Sequence, residues 1–203
     1  MYINKPLKEY LDDLAAKKAA PGGGSASALA GATGTSLMSM VANFTLGKKE
    51  YKGSEGRIAD VLLETMKFDS ELRALIDKDV DAYAKLSSAL KGATGDDDAK
   101  LEELYKDAAE VPLSVCRITN RCIKLCRELA EAGNRNLVTD TATAAMLLEA
   151  AFFSSKFHVY MNLKYIKDMD YISNIHDLLA ALEEEMPKLK EDILEICEDA
   201  ISS

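Results

Sequence analysis

The chain has 203 residues, of which 48% are hydrophobic and 29% are charged, so it can form one sizeable core and is too apolar to be disordered. Its formal net charge of −9 argues against nucleic acid as the main partner, because phosphate groups are bound by basic surfaces. Trp is absent and Pro is scarce, which favours helices, and we predict one all-helical domain over residues 1–203.

The first predicted helix covers residues 5–18. Its apolar side chains recur at helical spacing and form one stripe, made by Ile3, Leu7, Leu11 and Leu14. Acidic residues lie within the segment and it has no continuous apolar stretch, so it lacks the pattern of a secretory signal peptide. We therefore expect a cytoplasmic protein.

The second predicted helix covers residues 25–46, within a segment, 21–46, that carries no charge. Ser25 is a suitable N-cap after the "PGGG" turn, and Gly47 suits the position after the helix. Thirteen of the residues from 22 to 46 are Gly, Ser, Thr or Asn, which is too polar for a membrane span. The spacing of a phosphate-binding P-loop is also missing. We therefore expect no membrane contact.

Small residues form two adjacent rows on this helix at four-residue spacing. Ala26, Ala30 and Gly34 make one row, and Ser27, Gly31 and Thr35 make the other. Small side chains let helices approach closely, and they would also leave room for a ligand lying along the helix. Either interpretation gives this helix a central position.

Four more helices are predicted over residues 54–91, 97–132, 139–167 and 173–201. The segment "GATGDDD" separates the third helix from the fourth, and "EAGNRN" separates the fourth from the fifth. Pro112 is expected to kink or divide helix four. Long helices with short connections predict an up-and-down bundle.

Helix six carries apolar residues that alternate three and four positions apart, as in a heptad repeat. They are Ile172, Ile175, Leu179, Leu182, Met186, Leu189, Ile193 and Ile196. Such a stripe faces either the core of the bundle or the seam of a dimer. Pro187 would disturb a long coiled coil, so the core interpretation is favoured.

None of the four cysteines has the Cys-x-x-Cys spacing of metal or redox motifs. We interpret them as reduced, partly buried helix residues: Cys116, Cys122, Cys126 and Cys197. His158 and His176 lie far from them in the sequence, so no metal site is predicted.

Three segments are candidate sites. The turn from Gly22 to Ser25 exposes backbone N–H groups that can hold an anion or a carbonyl oxygen, although turn geometry alone would explain its glycines. In "GNRNLVTDTATAA", the polar cluster ends at Asp140, where the helix dipole favours a carboxylate but simple capping would also suffice. In "IDKDVDAYAKL", acids at 77, 79 and 81 cannot all face one way, so at least one points toward the bundle.

Six segments follow one another across nearly the whole chain: "PGGGS", "MVANFTLGKKEY", "DVDAYAKL", "EVPLSV", "GNRNLVTDTATAA" and "YMNLKYIKD". With these segments in this order, the sequence resembles the cyclodeaminase-type domain of the formiminotransferase-cyclodeaminase family. The resemblance includes stand-alone bacterial members that are similar to methenyltetrahydrofolate cyclohydrolases. Thr139 and Asp140 stand where the family commonly has Ser-Asp, which keeps the hydroxyl and the acid. The resemblance implies an all-helical homodimer with a folate cleft lined by these segments.

The activity implied by this resemblance is ring closure of 5-formiminotetrahydrofolate to the 5,10-methenyl cation with loss of ammonia. The alternative is hydrolysis of that cation to 10-formyltetrahydrofolate. Both reactions need proton transfer and stabilisation of a cation, and neither needs a metal or redox cofactor. The rival from another class is a non-catalytic folate-binding or scaffold protein.

The resemblance also implies residue roles. Asp140 is the candidate for stabilising the cation and Asp79 for carrying protons, with the reverse assignment left open, and Lys48 would orient a carbonyl or carboxylate. Lys48, Lys49 and Arg57 would either attract the glutamate tail or be ordinary solvated surface residues. The candidate substrate-binding residues are Gly22, Gly23, Gly24, Ser25, Lys49, Asn134, Asn136 and Asn162. His158, one turn before Asn162, is either a further proton carrier or an ordinary helix histidine.

Overall fold

The structure of the chain, a computed structural model, describes residues 1–92 and 98–202. Over these residues it contains six α-helices and three short 3₁₀ turns, and no strand. The helices are α1 (Leu7–Ala15), α2 (Gly23–Thr45), α3 (Glu55–Gly92), α4 (Asp98–Ala132), α5 (Val138–Leu163) and α6 (Met169–Ser202). The all-helical prediction is confirmed. Most of the predicted "GATGDDD" loop, residues 93–97, lies outside the described residues.

Consecutive long helices pack against each other around one hydrophobic core. α2 contacts α3, α4 and α5, while α4 packs against α3 and α5, and α6 covers α4 and α5. Met38, Leu72, Ile123 and Phe152 come from four different helices and are fully buried. Burial of a large apolar side chain contributes about 1.5–3 kcal/mol, so this shared core holds the helices together.

The small residues of α2 allow close contact with its neighbours. A Cβ atom at Gly31 would lie 3.2 Å from Leu72 of α3 and 3.3 Å from Thr119 of α4. A Cβ atom at Gly34 would lie 3.2 Å from the backbone oxygen of Ala144 in α5. The middle of the uncharged helix is therefore used for packing, and α2 is central as predicted.

Pro112 does not divide α4, which continues through it. Proline lacks the N–H that would bond the carbonyl four residues earlier, which belongs to Ala108. That oxygen instead accepts a hydrogen bond from Nδ2 of Asn162 on α5, at 3.3 Å. A side chain of the neighbouring helix thus replaces the missing backbone donor.

Two helices begin earlier than predicted because their caps are different residues. α2 starts at Gly23, with Gly22 as its N-cap rather than Ser25. α6 starts four residues before the predicted position 173. There the carboxylate of Asp168 accepts the N–H of Tyr171 at 3.0 Å, which is the usual capping geometry.

The apolar stripe of α6 faces the core. Leu179, Met186 and Ile193 are fully buried, and the helix packs against α4 and α5 of the same chain. This favours the core interpretation over a dimer seam along α6.

The four cysteines are free and buried, in agreement with the prediction. Burial raises the pKa of the Cys116 thiol to about 12, so this thiol stays protonated and unreactive. Among the described residues, no group of three His, Cys, Asp or Glu side chains is placed to hold a metal ion.

Within the described residues, one segment, Arg135–Leu163, is long and apolar enough to cross a membrane by length and composition alone. It contains α5 and not the uncharged α2. Core helices of bundles pass the same test, and Leu148 and Phe152 of α5 are fully buried among the other helices. One face of α5 therefore belongs to the core of the bundle.

Candidate active site

A cavity of about 470 Å³ opens where the first turn of α2 meets α3 and the last turns of α5. We call it the cleft. Residues of α4 and of the connection between α1 and α2 complete its wall. Its polar side chains are Asp79, Tyr83, Tyr105, His158, Asn162 and Tyr165, and the backbone of Gly22, Gly23 and Gly24 also lines it.

Asp79 lies in the middle of α3, and its side chain caps the N-terminus of the neighbouring helix α2. Its Oδ2 accepts the backbone N–H of Ser25 at 2.9 Å, one of the free N–H groups at a helix start. Burial raises the pKa of the Asp79 carboxyl above its ordinary value, and the Ser25 hydrogen bond and the nearby His158 imidazole oppose this only in part. Asp79 is therefore a carboxyl group suited to exchange a proton.

The raised pKa predicts that Asp79→Asn stabilises the fold at neutral pH. Ionising a carboxyl whose pKa is raised by folding costs the folded chain more than the unfolded chain. This cost is absent below the ordinary pKa of Asp, grows as pH rises toward the raised value and stays constant above it. We expect a higher thermal midpoint for Asp79→Asn at pH 7, and no difference near pH ~3. A lower midpoint at pH 7 would contradict this.

Two consecutive glycines allow α2 to approach the acidic and basic side chains of the cleft. A Cβ atom at Gly24 would lie 2.1 Å from Oδ1 of Asp79, and one at Gly23 would lie 2.6 Å from Nε2 of His158. Both distances are far shorter than a normal contact. The second and third glycines of the "GGG" turn are thus explained by the two side chains that lie against them.

Buried hydroxyl groups support this end of α2. Ser25 is fully buried, and its Oγ accepts a hydrogen bond from the Tyr10 hydroxyl at 3.3 Å. Burial raises the pKa of Tyr10, the Ser25 hydrogen bond lowers it, and the charge of Asp79 raises it further. Tyr10 therefore stays a neutral donor and holds Ser25 in place behind Asp79.

The three acids of "DKDVD" have three different environments. Asp77 is buried and accepts the backbone N–H groups of Tyr2 and, at 3.3 Å, of Ile3. Asp79 lines the cleft, and Asp81 is exposed. The prediction that at least one acid points toward the bundle is confirmed, and Asp77 has a structural role at the N-terminus.

The remainder of the cleft wall is aromatic and apolar. Tyr105 and Tyr165 stack with ring centroids 4.8 Å apart and an interplanar angle of 17°. Tyr83 and Leu86, on the same side of α3 as Asp79, also line the cleft. One part of the cleft therefore carries an acid and an imidazole, and another part suits a flat aromatic ligand.

The other predicted site residues lie near the C-terminal end of α2. Asn134 is buried there, where its backbone N–H donates to Thr45 Oγ1 at 2.9 Å and its Nδ2 donates to the Phe44 carbonyl at 3.2 Å. Its Oδ1 accepts the N–H of Asn136 at 3.1 Å. These contacts join the start of α5 to the end of α2, so the structure gives Asn134 a capping role.

The charged candidates other than Asp79 are also outside the cleft lining. Lys48 and Lys49 follow α2 and are exposed, and Asp140 is half-exposed in the first turn of α5. Arg57 binds Glu128 and Glu131 at 2.8 Å and 2.7 Å, and the group is exposed. The 23 residues of α2 span about 33 Å, so one ligand in one chain cannot touch both ends.

The structure thus brings together one subset of the predicted residues: Gly22, Gly23, Gly24, Ser25, Asp79 and Asn162. The aromatic wall was not predicted from the sequence. His158 was considered as a proton carrier, but its position beside the glycine turn was not predicted. A usable signal exists, because Asp79, Tyr83 and Leu86 recur at helical spacing, as do His158, Met161 and Tyr165.

Comparison with known proteins gives one consistent family. A sequence model of the family described as formiminotransferase-cyclodeaminase matches residues 6–181. The chain is 33% identical to the methenyltetrahydrofolate cyclohydrolase of Methylorubrum extorquens, over 98% of this chain and 99% of that protein.

Two further similarities concern proteins named as cyclodeaminases. The formimidoyltransferase-cyclodeaminase of Mus musculus is 28% identical over 90% of this chain, which spans only 35% of that protein. The crystal structure of formiminotetrahydrofolate cyclodeaminase from Thermotoga maritima matches with a TM-score of 0.92 and 32% identity, over 99% of this chain and 100% of that one.

Proposed function

Because this chain belongs to the formiminotransferase-cyclodeaminase family, we propose that it is a tetrahydrofolate enzyme that acts on the carbon between N5 and N10. The observation that carries this proposal is Asp79, a largely buried carboxyl with a raised pKa in a cleft with an aromatic wall. Such a group can exchange protons close to the reacting carbon. The aromatic wall suits the pterin or p-aminobenzoyl ring of a folate.

The leading reaction is that of a cyclodeaminase. N10 of 5-formiminotetrahydrofolate attacks the formimino carbon, the new ring closes, and the carbon–nitrogen bond to the formimino nitrogen breaks. That nitrogen gains two protons and leaves as ammonia, and the product is the 5,10-methenyl cation. Asp79 in its protonated form supplies a proton to the departing nitrogen, and in its ionised form it stabilises the cation.

The second candidate is the cyclohydrolase reaction, which is supported by the similarity to the Methylorubrum protein over both full lengths. Water attacks the methenyl carbon, the bond from this carbon to N5 breaks, and 10-formyltetrahydrofolate forms with release of one proton. Asp79 in its ionised form removes the proton from water. Both reactions pass through a tetrahedral carbon between two nitrogens, so the same cleft serves either.

The test uses the near-ultraviolet absorption of the methenyl group. Appearance of the band when the protein is mixed with 5-formiminotetrahydrofolate supports the cyclodeaminase. Accelerated loss of the band from 5,10-methenyltetrahydrofolate supports the cyclohydrolase. No change with either substrate contradicts the proposal and leaves a non-catalytic folate-binding or scaffold protein.

We further propose that two copies pair through the solvent-facing sides of α2 and α5. No charge lies between residues 21 and 46, so copies of α2 can meet without repulsion. Phe44 of α2 and Met146 and Phe157 of α5 are large apolar side chains that are more than half exposed. A two-fold axis perpendicular to α2 would put the end of one α2 beside the start of the other.

This pairing would bring the candidate site residues at the two ends of α2 together. Lys48, Asn136 and Asp140 of one copy would approach the cleft of the other copy, where Asp79 lies. Asp140 would then be close enough to stabilise the cation, and Lys48 to orient a carboxylate or carbonyl. Light scattering at a size-exclusion column measures the oligomeric state, and a monomer at micromolar concentration would overturn the pairing.

Asp140→Asn is expected to lower turnover on the order of 10²-fold or more, because an amide cannot stabilise the cation by charge. The helix start loses a favourable charge, so stability should fall by about 0.3–1 kcal/mol. Turnover near the wild-type value in a folded variant would contradict a catalytic Asp140.

Hybrid dimers test which copy supplies Asp140. Equal amounts of Asp79→Asn and Asp140→Asn are unfolded together and refolded. A site shared between copies predicts recovery of about a quarter of the wild-type rate, since half of the dimers are hybrids with one intact site. A site within one chain predicts no recovery.

The proposed chemistry uses tetrahydrofolate as substrate and asks for no metal or redox cofactor. The net charge of −9 fits a protein without a nucleic-acid partner, and the packing of one face of α5 into the bundle fits a protein without a membrane span. We propose a cytoplasmic location on the same grounds.

A further inference from the structure

We propose that His158 is a second proton-carrying residue of the cleft and shares the proton transfers with Asp79. This inference rests on the proposed function and adds a residue to it. His158 lies near the end of α5, and its imidazole lies against the first turn of α2.

The placement of the two side chains is the main observation. Nε2 of His158 lies against Gly23, and Oδ1 of Asp79 lies against Gly24, so the imidazole and the carboxyl contact consecutive residues of α2. Both side chains line the same cleft. The two groups interact electrostatically, because the imidazole lowers the pKa of Asp79 against the effect of burial.

Asp79 and His158 are the best candidates for an acid–base pair, because the other titratable side chains of the described lining are tyrosines. The other titratable side chains that face His158 across the described lining are Tyr83 of α3, Tyr105 of α4 and Tyr165 after α5. Burial raises the pKa of Tyr105, so its hydroxyl remains protonated at neutral pH. Histidine and carboxyl groups are the usual general acids and bases of enzymes.

The cyclodeaminase reaction requires two proton transfers to the departing nitrogen, and the two side chains of the cleft can divide them. The formimino nitrogen must gain two protons to leave as ammonia, one from N10 and one from solvent. His158 in its neutral form accepts the proton of N10 as the ring closes and then passes it to the departing nitrogen. Asp79 in its protonated form supplies the second proton and is recharged from solvent. One proton is consumed overall and the methenyl cation is formed, so charge and atoms balance.

The chain offers a matched control, because it has only two histidines. His176 lies on α6, is exposed, and stacks on Tyr160 with ring centroids 5.1 Å apart. His176→Gln should therefore leave turnover unchanged. His158→Gln keeps a polar side chain of similar size against Gly23 but cannot carry a proton.

The test compares these two variants over a range of pH with the substrate that the wild-type protein converts. We expect His158→Gln to lower kcat on the order of 10²-fold with little change in KM, to remove one limb of the pH–rate profile and to respond to added imidazole. Unchanged kcat and both limbs intact would overturn the proposal. A uniform loss at every pH without response to imidazole would assign His158 a structural role instead.

A binding measurement separates this inference from the proposed function. The imidazole signals of the two histidines are assigned by NMR with the same two variants, and 5-formyltetrahydrofolate is added to the wild-type protein. A shift of the His158 signal alone supports its contact with the ligand. Absence of a shift overturns the role of His158. Failure of the wild-type protein to convert either folate overturns the proposed function, and the binding result then stands by itself.

Discussion

Asp79→Asn is expected to lower turnover by about 10³-fold or more, the largest loss expected for any single substitution in the cleft. Asparagine keeps the size of the side chain, and its oxygen can still accept the Ser25 N–H now bound at 2.9 Å. It can neither exchange a proton nor carry a negative charge beside the cation. The measurement is kcat with the substrate identified by the near-ultraviolet assay.

The matched control is Asp81→Asn, two residues further along α3, where the side chain is exposed. That variant should turn over at the wild-type rate, since Asp81 is outside the cleft lining. Circular dichroism should show both variants folded. Equal turnover of Asp79→Asn and Asp81→Asn would remove Asp79 from the mechanism and with it the observation on which the proposed function depends.

Gly24→Ala is expected to disturb the same carboxyl through position alone, and to lower both turnover and stability. The added methyl group would lie 2.1 Å from Oδ1 and 2.7 Å from Cγ of Asp79, so the carboxyl or the first turn of α2 must move. Misplacement of a catalytic group by about 1 Å costs on the order of 10² in rate. Loss of the Ser25 hydrogen bond should also lower stability by about 1–3 kcal/mol.

Gly56→Ala is the control for Gly24→Ala. A Cβ atom at Gly56 would meet no other atom within 4 Å, and the residue lies in the first turn of α3, away from the cleft. Its turnover should be that of the wild-type protein, and its stability equal or slightly higher, because alanine favours helices. A Gly24→Ala variant with full activity would show that the approach of α2 to Asp79 has no functional role.

The helical class and the central place of α2 were predictable because they depend on local patterns. Apolar residues at helical spacing predict each long helix. Glycines such as Gly31 and Gly34 predict that another helix packs closely, but not which helix it is. The start of α6 was placed too late because Asp168 was not recognised as its cap. Caps are single residues, so pattern alone places helix ends poorly.

The uninterrupted course of α4 could not be predicted from α4. The carbonyl freed by Pro112 is satisfied by Asn162, which lies 54 positions beyond Ala108 in the chain. Pro112 therefore leaves α4 unbroken with its freed carbonyl satisfied by a donor on a neighbouring helix.

The sequence could suggest which residues belong to a candidate site, but not which of them lie together in one chain. Asp79 and the turn from Gly22 to Ser25 are among the selected residues and lie in contact, yet their contact spans 54 positions and cannot be found from sequence spacing. The same selection included Lys48 and Asp140, which lie near the other end of a helix about 33 Å long. The order of motifs along a chain does not specify which ends of the helices meet.

The hydrogen bond from Asn162 to the Ala108 carbonyl has an evolutionary consequence. Relatives that keep proline at position 112 are expected to keep a hydrogen-bond donor at position 162, and relatives that lose the proline are released from that requirement. The two positions should therefore change together in an alignment, although they belong to different helices. Pro112, which lies outside the cleft lining, would then help to conserve Asn162, which is part of the cleft wall.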